Sequence, residues 1–143
     1  MAITATQQIT DTRYRTAVKW ISDAAANTGV TILNVSDLVG HQTGGLVNIA
    51  KIYWTSSAPS GGLDIIWDGG SASNVTAFIC EGTSGTYGYM PGQPAISNNS
   101  LTAGTDAGDV LITNASATFT LVIEFHKVPD AQGNGWHAGL NLA

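Results

Sequence analysis

The residues best suited to acid–base chemistry in this chain are three histidines and two glutamates, and their spacing does not gather them. His41 lies in a glycine-rich loop, His126 on a predicted strand and His137 near the C-terminal end. Nucleophilic catalysis needs a base beside the nucleophile, and no Gly-x-Ser-x-Gly turn accompanies any of the three. Glycoside hydrolysis needs two facing carboxylates, and the pattern does not pair Glu81 with Glu124. We therefore expect no catalytic residues and no enzymatic activity.

Metal and cofactor sites are also not predicted. Asp106 and Asp109 lie three positions apart, but they lack the ligand density of a calcium loop, so we expect a turn with two solvated carboxylates. Cys80 is the single cysteine, which excludes an internal disulfide and a cysteine-based zinc site. The glycine-rich segments 40–45 and 82–88 precede no predicted helix and so do not form phosphate cradles.

The cations cluster in one segment of an otherwise acidic chain. Five Lys and Arg against ten Asp and Glu give a formal net charge of −5, which is unlike a nucleic-acid-binding protein. Arg13, Arg15 and Lys19 share one parity of a predicted strand and therefore one face. This face is interpreted either as an ordinary solvated surface or as a surface that docks onto an acidic protein.

Aromatic and aliphatic side chains outside the predicted strand core are the other candidates for contact with a partner. They are Tyr87, Tyr89, Trp136, Leu140 and Leu142. The two tyrosines suit a sugar or a protein surface. The other three lie in a 15-residue tail that, if extended, reaches about 50 Å and would place them in pockets of a neighbouring subunit. A frayed terminus is the alternative.

Composition and periodicity indicate an all-β protein. Only 10% of the residues are charged, 17 are glycine, and short β-branched runs alternate with turn signals. The pattern predicts an antiparallel β-sandwich, jelly-roll-like, with about eight strands and no crossover helices. The predicted strands are 12–21, 30–35, 46–55, 63–67, 74–81, 86–90, 110–113 and 118–128.

The predicted organisation is one domain with two arms. Residues 1–11 are expected to form an N-terminal arm, residues 12–128 the sandwich and residues 129–143 a C-terminal arm. Several strands carry apolar residues on both faces and the charge is low, which favours a subunit covered by neighbours in an assembly. We expect synthesis in a cytoplasm without a secretory signal, and no membrane partner, because no apolar run approaches 18 residues.

Four features together resemble the small structural proteins of tailed-bacteriophage virions, especially capsid decoration (cement) proteins. They are the Ala/Thr-rich opening 1–12, the segment 65–70 (Ile-Ile-Trp-Asp-Gly-Gly), the apolar last strand 119–125 and the Gly/Asn-rich tail. The resemblance implies a β-rich module in the virion that binds the outside of an icosahedral shell and bridges major capsid subunits against internal DNA pressure. It also implies other virion subunits as partners and a homo-oligomer, with a trimer as one expected form.

Two alternative functions stay open at this point. Tyr87, Tyr89 and the irregular segment 91–109 favour a carbohydrate-binding module for adhesion to a host surface. A neck or tail adaptor would instead predict a closed ring of subunits.

Overall fold

A computed structural model of the chain describes residues 3–23, 26–42, 45–57, 62–70, 73–99, 108–114, 118–128 and 136. These residues contain nine strands and one 3-10 turn, Val35–Asp37, and no α-helix. None of their helical segments is long and apolar enough to cross a membrane. The strands are β1 (Ile3–Asp11), β2 (Arg15–Ser22), β3 (Asn27–Leu33), β4 (Leu46–Ser56), β5 (Leu63–Trp67), β6 (Val75–Cys80), β7 (Ser84–Tyr87), β8 (Val110–Asn114) and β9 (Phe119–Val128).

The strands form two antiparallel sheets with jelly-roll connectivity, which confirms the predicted fold class. One sheet has the order β1-β2-β9-β4-β7 and the other the order β3-β8-β5-β6. The pairs are nested: the hairpin β5–β6 is innermost, and β4–β7, β3–β8 and β2–β9 pair successively outside it. This nesting is what an eight-stranded jelly roll requires, and β1 is an additional strand at one edge.

Alternation along β9 builds the centre of the core. Phe119, Leu121, Ile123 and Phe125 are each at most 4% exposed, whereas the residues between them are only partly buried. Because β9 pairs with both β2 and β4, its inward side chains meet inward side chains from the neighbouring strands on either side. One face of β9 therefore lies in the core and the other lies on the surface.

Two tryptophans tie the sheets together near opposite edges of the sandwich. The indole nitrogen of Trp20 on β2 donates to the carbonyl of Ile32 on β3 at 3.1 Å. The indole nitrogen of Trp54 on β4 donates to the carbonyl of Glu81, directly after β6, at 3.2 Å. Each side chain fills apolar space and also satisfies its one polar atom, which fixes how the two sheets are aligned.

The segment predicted to be an N-terminal arm is a strand of the sheet. Residues 3–11 form β1 and pair with β2 from Ile3–Ser22 to Asp11–Thr16. Sequence periodicity does not reveal this strand, because residues 5–9 are all exposed and no alternating set of apolar residues marks a buried face. Tyr14 lies in the β1–β2 connection and is 60% exposed, although residue 12 is the predicted start of the strand that begins at Arg15.

Lys127 is a buried cation on the inner side of β9 and is fully partnered. Its side chain is 1% exposed, and Nζ lies 2.5 Å from an Asp11 carboxylate oxygen. The same ammonium donates to the carbonyls of Thr12 at 2.6 Å and Val39 at 2.8 Å. The backbone N–H of Val39 donates to the other Asp11 oxygen at 3.0 Å. This cluster fastens the end of β1 and the loop after Val35–Asp37 to the C-terminal end of β9.

Trp136 is packed against its own domain, so the prediction that it anchors in a neighbouring subunit is wrong. Its indole nitrogen donates to the carbonyls of Val128 at 2.7 Å and Leu46 at 3.2 Å, and the residue is 6% exposed. The Lys127 ammonium lies 5.2 Å from its ring centre, and the His41 ring packs against it edge-on at 5.4 Å. Burial in this contact lowers the pKa of His41. Leu140 and Leu142 lie outside the described residues.

Replacing Lys127 by methionine should destabilise the fold strongly. Loss of the ammonium leaves the Asp11 carboxylate and two carbonyls without their partner, and breaking a buried pair costs about 3 kcal/mol or more. Urea denaturation should show this as a lower midpoint. The control is Arg15→Ala, because its side chain is 58% exposed in a 3.4 Å pair with Glu124 and its loss should cost less than about 1 kcal/mol. Equal losses in the two variants would contradict a stabilising role for burial of Lys127.

Candidate interaction surface

The outer face of the five-stranded sheet collects charged and aromatic side chains from three strands. Register places Lys19 of β2 beside Val122 of β9, and Val122 beside Tyr53 of β4. The next outward row runs through Ala17, Glu124 and Lys51, and the following row through Arg15, His126 and Asn48. We call this surface the basic face and define it by Arg15, Lys19, Lys51, Tyr53, Val122, Glu124 and His126.

The basic face concentrates the accessible positive charge of the whole chain. Of the five Lys and Arg, Lys127 is buried, and three of the other four, Arg15, Lys19 and Lys51, are on this face. The fourth, Arg13, lies in the connection that leads into β2 and is exposed. Three cations and the one carboxylate of Glu124 leave the face at about +2, whereas the chain is at −5. The charge of the protein is thus strongly segregated.

Glu124 does not neutralise the face, because it is surrounded by positive or titratable neighbours. The Arg15 guanidinium is 3.4 Å from its carboxylate, and Nε2 of His126 is 3.9 Å from the same oxygen. Lys51 is the residue opposite it on β4. The carboxylate is 22% exposed, so it holds these neighbours in place more than it presents negative charge to solvent.

Aromatic and apolar groups accompany the cations. Tyr53 on β4 is 41% exposed and Ile21 on β2 is 36% exposed. Tyr89 is 54% exposed, and its ring centre is 5.3 Å from the Lys51 ammonium. Tyrosine and arginine are the residues most useful at a protein contact, because each offers flat apolar area together with a polar group.

A close backbone approach at Gly88 places Tyr89 beside Lys51. Gly88 has a φ of +88°, and a Cβ built on it would lie 2.0 Å from the carbonyl oxygen of Ala50. Its N–H donates to the side-chain oxygen of Gln93 at 2.8 Å. Only glycine allows the chain after β7 to approach the backbone of β4 this closely. The next residue, Tyr89, is consequently held over the basic face.

The residues predicted to form an interface lie in different parts of the structure. Arg15 and Lys19 share the outer face as predicted, and Arg13 lies in the preceding turn with its guanidinium 5.9 Å from the Tyr14 ring. Tyr87 is not an open platform: its hydroxyl donates to the carbonyl of Pro94 at 2.8 Å, and its ring packs on Phe78 at 5.5 Å. Tyr89 is exposed, and it belongs to the surroundings of the basic face.

Sequence reasoning missed Lys51, Tyr53 and His126 as members of this surface. Lys51 lies 32 positions after Lys19, and the two come together only through their separate pairings with β9. The available signal was parity: Lys51 and Tyr53 alternate with the buried Ile52 and Trp54. That parity identifies an outward side chain but does not say which other outward side chains share its sheet.

Cys80 and Asp109, two other residues with reactive side chains, are buried and have structural roles. Burial, with the nearby Asp64 carboxylate, raises the pKa of Cys80 to about 12, so the thiol is not nucleophilic at neutral pH. Asp109, predicted to be solvated, is 3% exposed and accepts a hydrogen bond from the Val35 N–H at 2.9 Å. Asp106 and His137 lie outside the described residues. Within the described ranges, no group of three or more His, Cys, Asp or Glu side chains is placed to hold a metal ion.

An open groove of about 260 Å³ lies at one end of the five-stranded sheet. It is lined by Ile21, Ser22, Thr55, Ser56, Ser57, Thr118, Phe119 and Thr120. The lining carries hydroxyl groups and no charge, and Phe119 is itself 4% exposed, so the groove offers no open aromatic ring for stacking.

Gly88→Ala should destabilise the protein far more than Gly92→Ala. Both glycines have a φ of +88°, so each substitution carries the same left-handed penalty of about 1–2 kcal/mol. Only at Gly88 does the new methyl group meet backbone, which should bring the loss to about 3 kcal/mol or more. Urea denaturation of both variants measures the difference. Similar losses would show that the approach to Ala50 does not constrain the chain.

The charge segregation should be measurable by ion exchange. At pH 7 and about 0.1 M salt, the protein should be retained by a sulfonate cation exchanger despite its net charge of −5, because a screening length of about 10 Å lets the basic face act without the distant carboxylates. Lys19→Gln with Lys51→Gln should abolish retention.

The matched control for that test is Thr31→Glu with Thr76→Glu. Both threonines are exposed on the other sheet, beside Leu111 and Ile66 respectively. This variant lowers the net charge by the same two units but leaves the basic face intact, so it should stay bound. Elution of both variants in the flow-through would show that net charge, not its placement, governs binding.

Comparisons with known proteins add no name to this surface. No family model, no curated protein and no solved structure matches the chain. The geometry and charge of the basic face are therefore the observations that bear on function.

Proposed function

We propose that this chain is a non-enzymatic structural subunit of a tailed-bacteriophage virion, which decorates the capsid and docks on its major capsid subunits through the basic face. The observation that supports this most directly is the segregation of charge. All four accessible cations lie on or next to one sheet face of a chain at −5. A partner with an acidic, gently curved surface would meet complementary charge there and repulsion elsewhere.

The shape of the face suits a bridging contact. Five strands about 4.8 Å apart give a surface roughly 20 Å wide, and its central strands are held by the core beneath. A surface of this kind lies flat across a boundary between two shell subunits. It does not enclose a small molecule.

A subunit that bridges two capsid subunits would stabilise the assembled shell thermodynamically. A subunit that binds only the assembled lattice stabilises that lattice by mass action, since it has no comparable affinity for separate capsid subunits. When one copy contacts two neighbours, the second contact forms at a high effective concentration. Many copies of a modest contact then resist expansion of the shell.

The energy of the contact would come from both charge and apolar area. Exposed ion pairs contribute little individually, and mainly accelerate and orient docking. Tyr53, Tyr89 and Ile21 supply the area that can be fully dehydrated. Lys19 and Lys51 are half-buried, so their methylene stems already cover sheet surface while their ammonium groups remain available.

The carbohydrate alternative gains less support. It depended on Tyr87 and Tyr89 as neighbouring platforms, but Tyr87 is committed to Phe78 and to the Pro94 carbonyl. Tyr89 is paired with a lysine, and the amide oxygen of Gln93 beside it already accepts from the N–H groups of Gly88 and Met90. A neck or tail position uses the same docking chemistry and differs only in where the subunit lies in the particle.

The proposal is tested by rebinding purified protein to phage shells from which it has been removed. Lys19→Gln with Lys51→Gln should weaken binding about tenfold, the equivalent of about 1.4 kcal/mol for two exposed charge contacts, and wild-type binding should fall as salt rises. Co-sedimentation gives the occupancy, and electron microscopy of the decorated particle gives the position.

The control uses Thr31→Glu with Thr76→Glu, which should bind shells as the wild type does. An unchanged affinity of the lysine variant, or absence of the chain from every particle, would reject the proposal. Density at the neck or tail instead of the capsid would reject decoration and favour the adaptor.

A further inference from the structure

Strand β1, at the edge of the five-stranded sheet, extends beyond the four-stranded sheet that packs against the other strands. Thr6 and Gln8 of β1 pair with Trp20 and Val18, whose side chains are buried, yet Thr6 and Gln8 themselves are exposed. The five-stranded sheet faces a four-stranded one, so its outermost strand has no layer beneath it. Residues 5–9 are exposed on both faces, and β1 is held chiefly by its pairing with β2.

Among the described residues, β1 presents the longest free edge of the two sheets. Edge strands are normally made short, bent or charged, because their unpaired N–H and C=O groups recruit other strands. The other edge of the same sheet is β7, with four residues. In the second sheet, edge strand β3 has seven residues and contains Gly29 at a φ of +57° within the first of its two register shifts, and edge strand β6 has six residues and one register shift. By contrast, β1 has nine residues with no proline or glycine and no charge from Ile3 to Thr10, and its own two register shifts leave Ala5 to Gln8 regular between them.

Two features keep β1 ordered while its edge stays open. Its last residue, Asp11, is fixed by Lys127, and Ile3 packs partly on the core. Register shifts occur at Ile3–Ala5 and Gln8–Thr10, and between them the pairing with β2 is regular from Ala5 to Gln8. The Gln8 amide donates to the Thr10 carbonyl at 2.8 Å and to the Thr16 hydroxyl, which closes the second irregularity.

We propose that the β1 edge pairs antiparallel with the β1 edge of a second copy of this chain, forming one continuous ten-stranded sheet. A second copy fits because a two-fold pairing of identical neutral strands opposes no like charges. With the axis at Gln7, Ala5 lies opposite Ile9 of the second copy, and Ile9 is 52% exposed in the single chain. Asp11, the one charge in β1, is already paired with Lys127.

The two-fold axis of an antiparallel pair is perpendicular to the sheet, so both basic faces would point the same way. The dimer would present a face about 45 Å wide at ten strands of about 4.8 Å each. The pairing is independent of what the face binds, so it holds or fails separately from the proposed function.

The first test is the molar mass in solution by light scattering after size exclusion, at concentrations up to about 100 μM. Wild-type protein should show twice 14.8 kDa. Ala5→Lys with Ile9→Lys places lysines opposite lysines across the axis and should weaken dimerisation at least tenfold. Both sites are exposed, so the variant should keep the wild-type circular dichroism spectrum and unfold cooperatively as a monomer. Thr86→Lys, on the opposite edge of the same sheet, is the control and should remain dimeric.

The second test is chemical and does not depend on the stability of the lysine variant. Gln7→Cys should form an intermolecular disulfide under mild oxidation, because the two thiols face each other at the axis. Native Cys80 is buried and does not compete. Thr86→Cys is the matched control, and should cross-link at least tenfold more slowly. A monomeric wild type, equal cross-linking of the two cysteine variants, or loss of the dimer in Thr86→Lys would each overturn the proposal.

Discussion

The alternation of β9 places a lysine at the inner end of its buried face, and the fold must neutralise that charge. Phe119 to Phe125 build the core on one parity, and Lys127 is the next residue of the same parity. An unpaired ammonium there would cost several kcal/mol. Asp11, two carbonyls and the face of Trp136 meet it instead, and they come from the end of β1, the loop near Val39 and the C-terminal segment. Three parts of the chain that are remote in sequence are thereby fixed by one charge.

The same alternation decides what the other side of the sheet presents. Since β9 is central, its outward residues Val122, Glu124 and His126 form the middle of a surface to which β2 and β4 add Lys19 and Lys51. The burial of Lys127 leaves only four cations for the surface of the molecule, and three of them are on this face. Placement of so few positive charges on one side gives an acidic protein one basic surface without raising its overall charge.

The sequence predicted those parts of the fold in which burial follows a local period. Strand β5 was predicted at its observed bounds, and β9 to within one residue, because each alternates between core and surface. Strand β1 was not predicted, since an overhanging edge strand has no alternation of buried and exposed residues. It is held chiefly by its pairing with β2, which a local pattern does not reveal. Trp136 was assigned to a neighbour because tail composition does not reveal a fold-back onto Leu46 and Val128.

The candidate surface illustrates a more general limit of sequence patterns. Arg15 and Lys19 were grouped correctly because they lie on one strand, where parity alone fixes the side. Lys51 and Tyr53 alternate with the buried Ile52 and Trp54, but to assign them to the same sheet as Lys19 requires the register of β4 on β9. In a jelly roll, successive strands mostly alternate between sheets, so neighbours in sequence often lie on opposite sides of the molecule. A surface built from β2, β4 and β9 is therefore a property of the nested topology. The set of residues that it brings together depends on long-range pairing that no local period records.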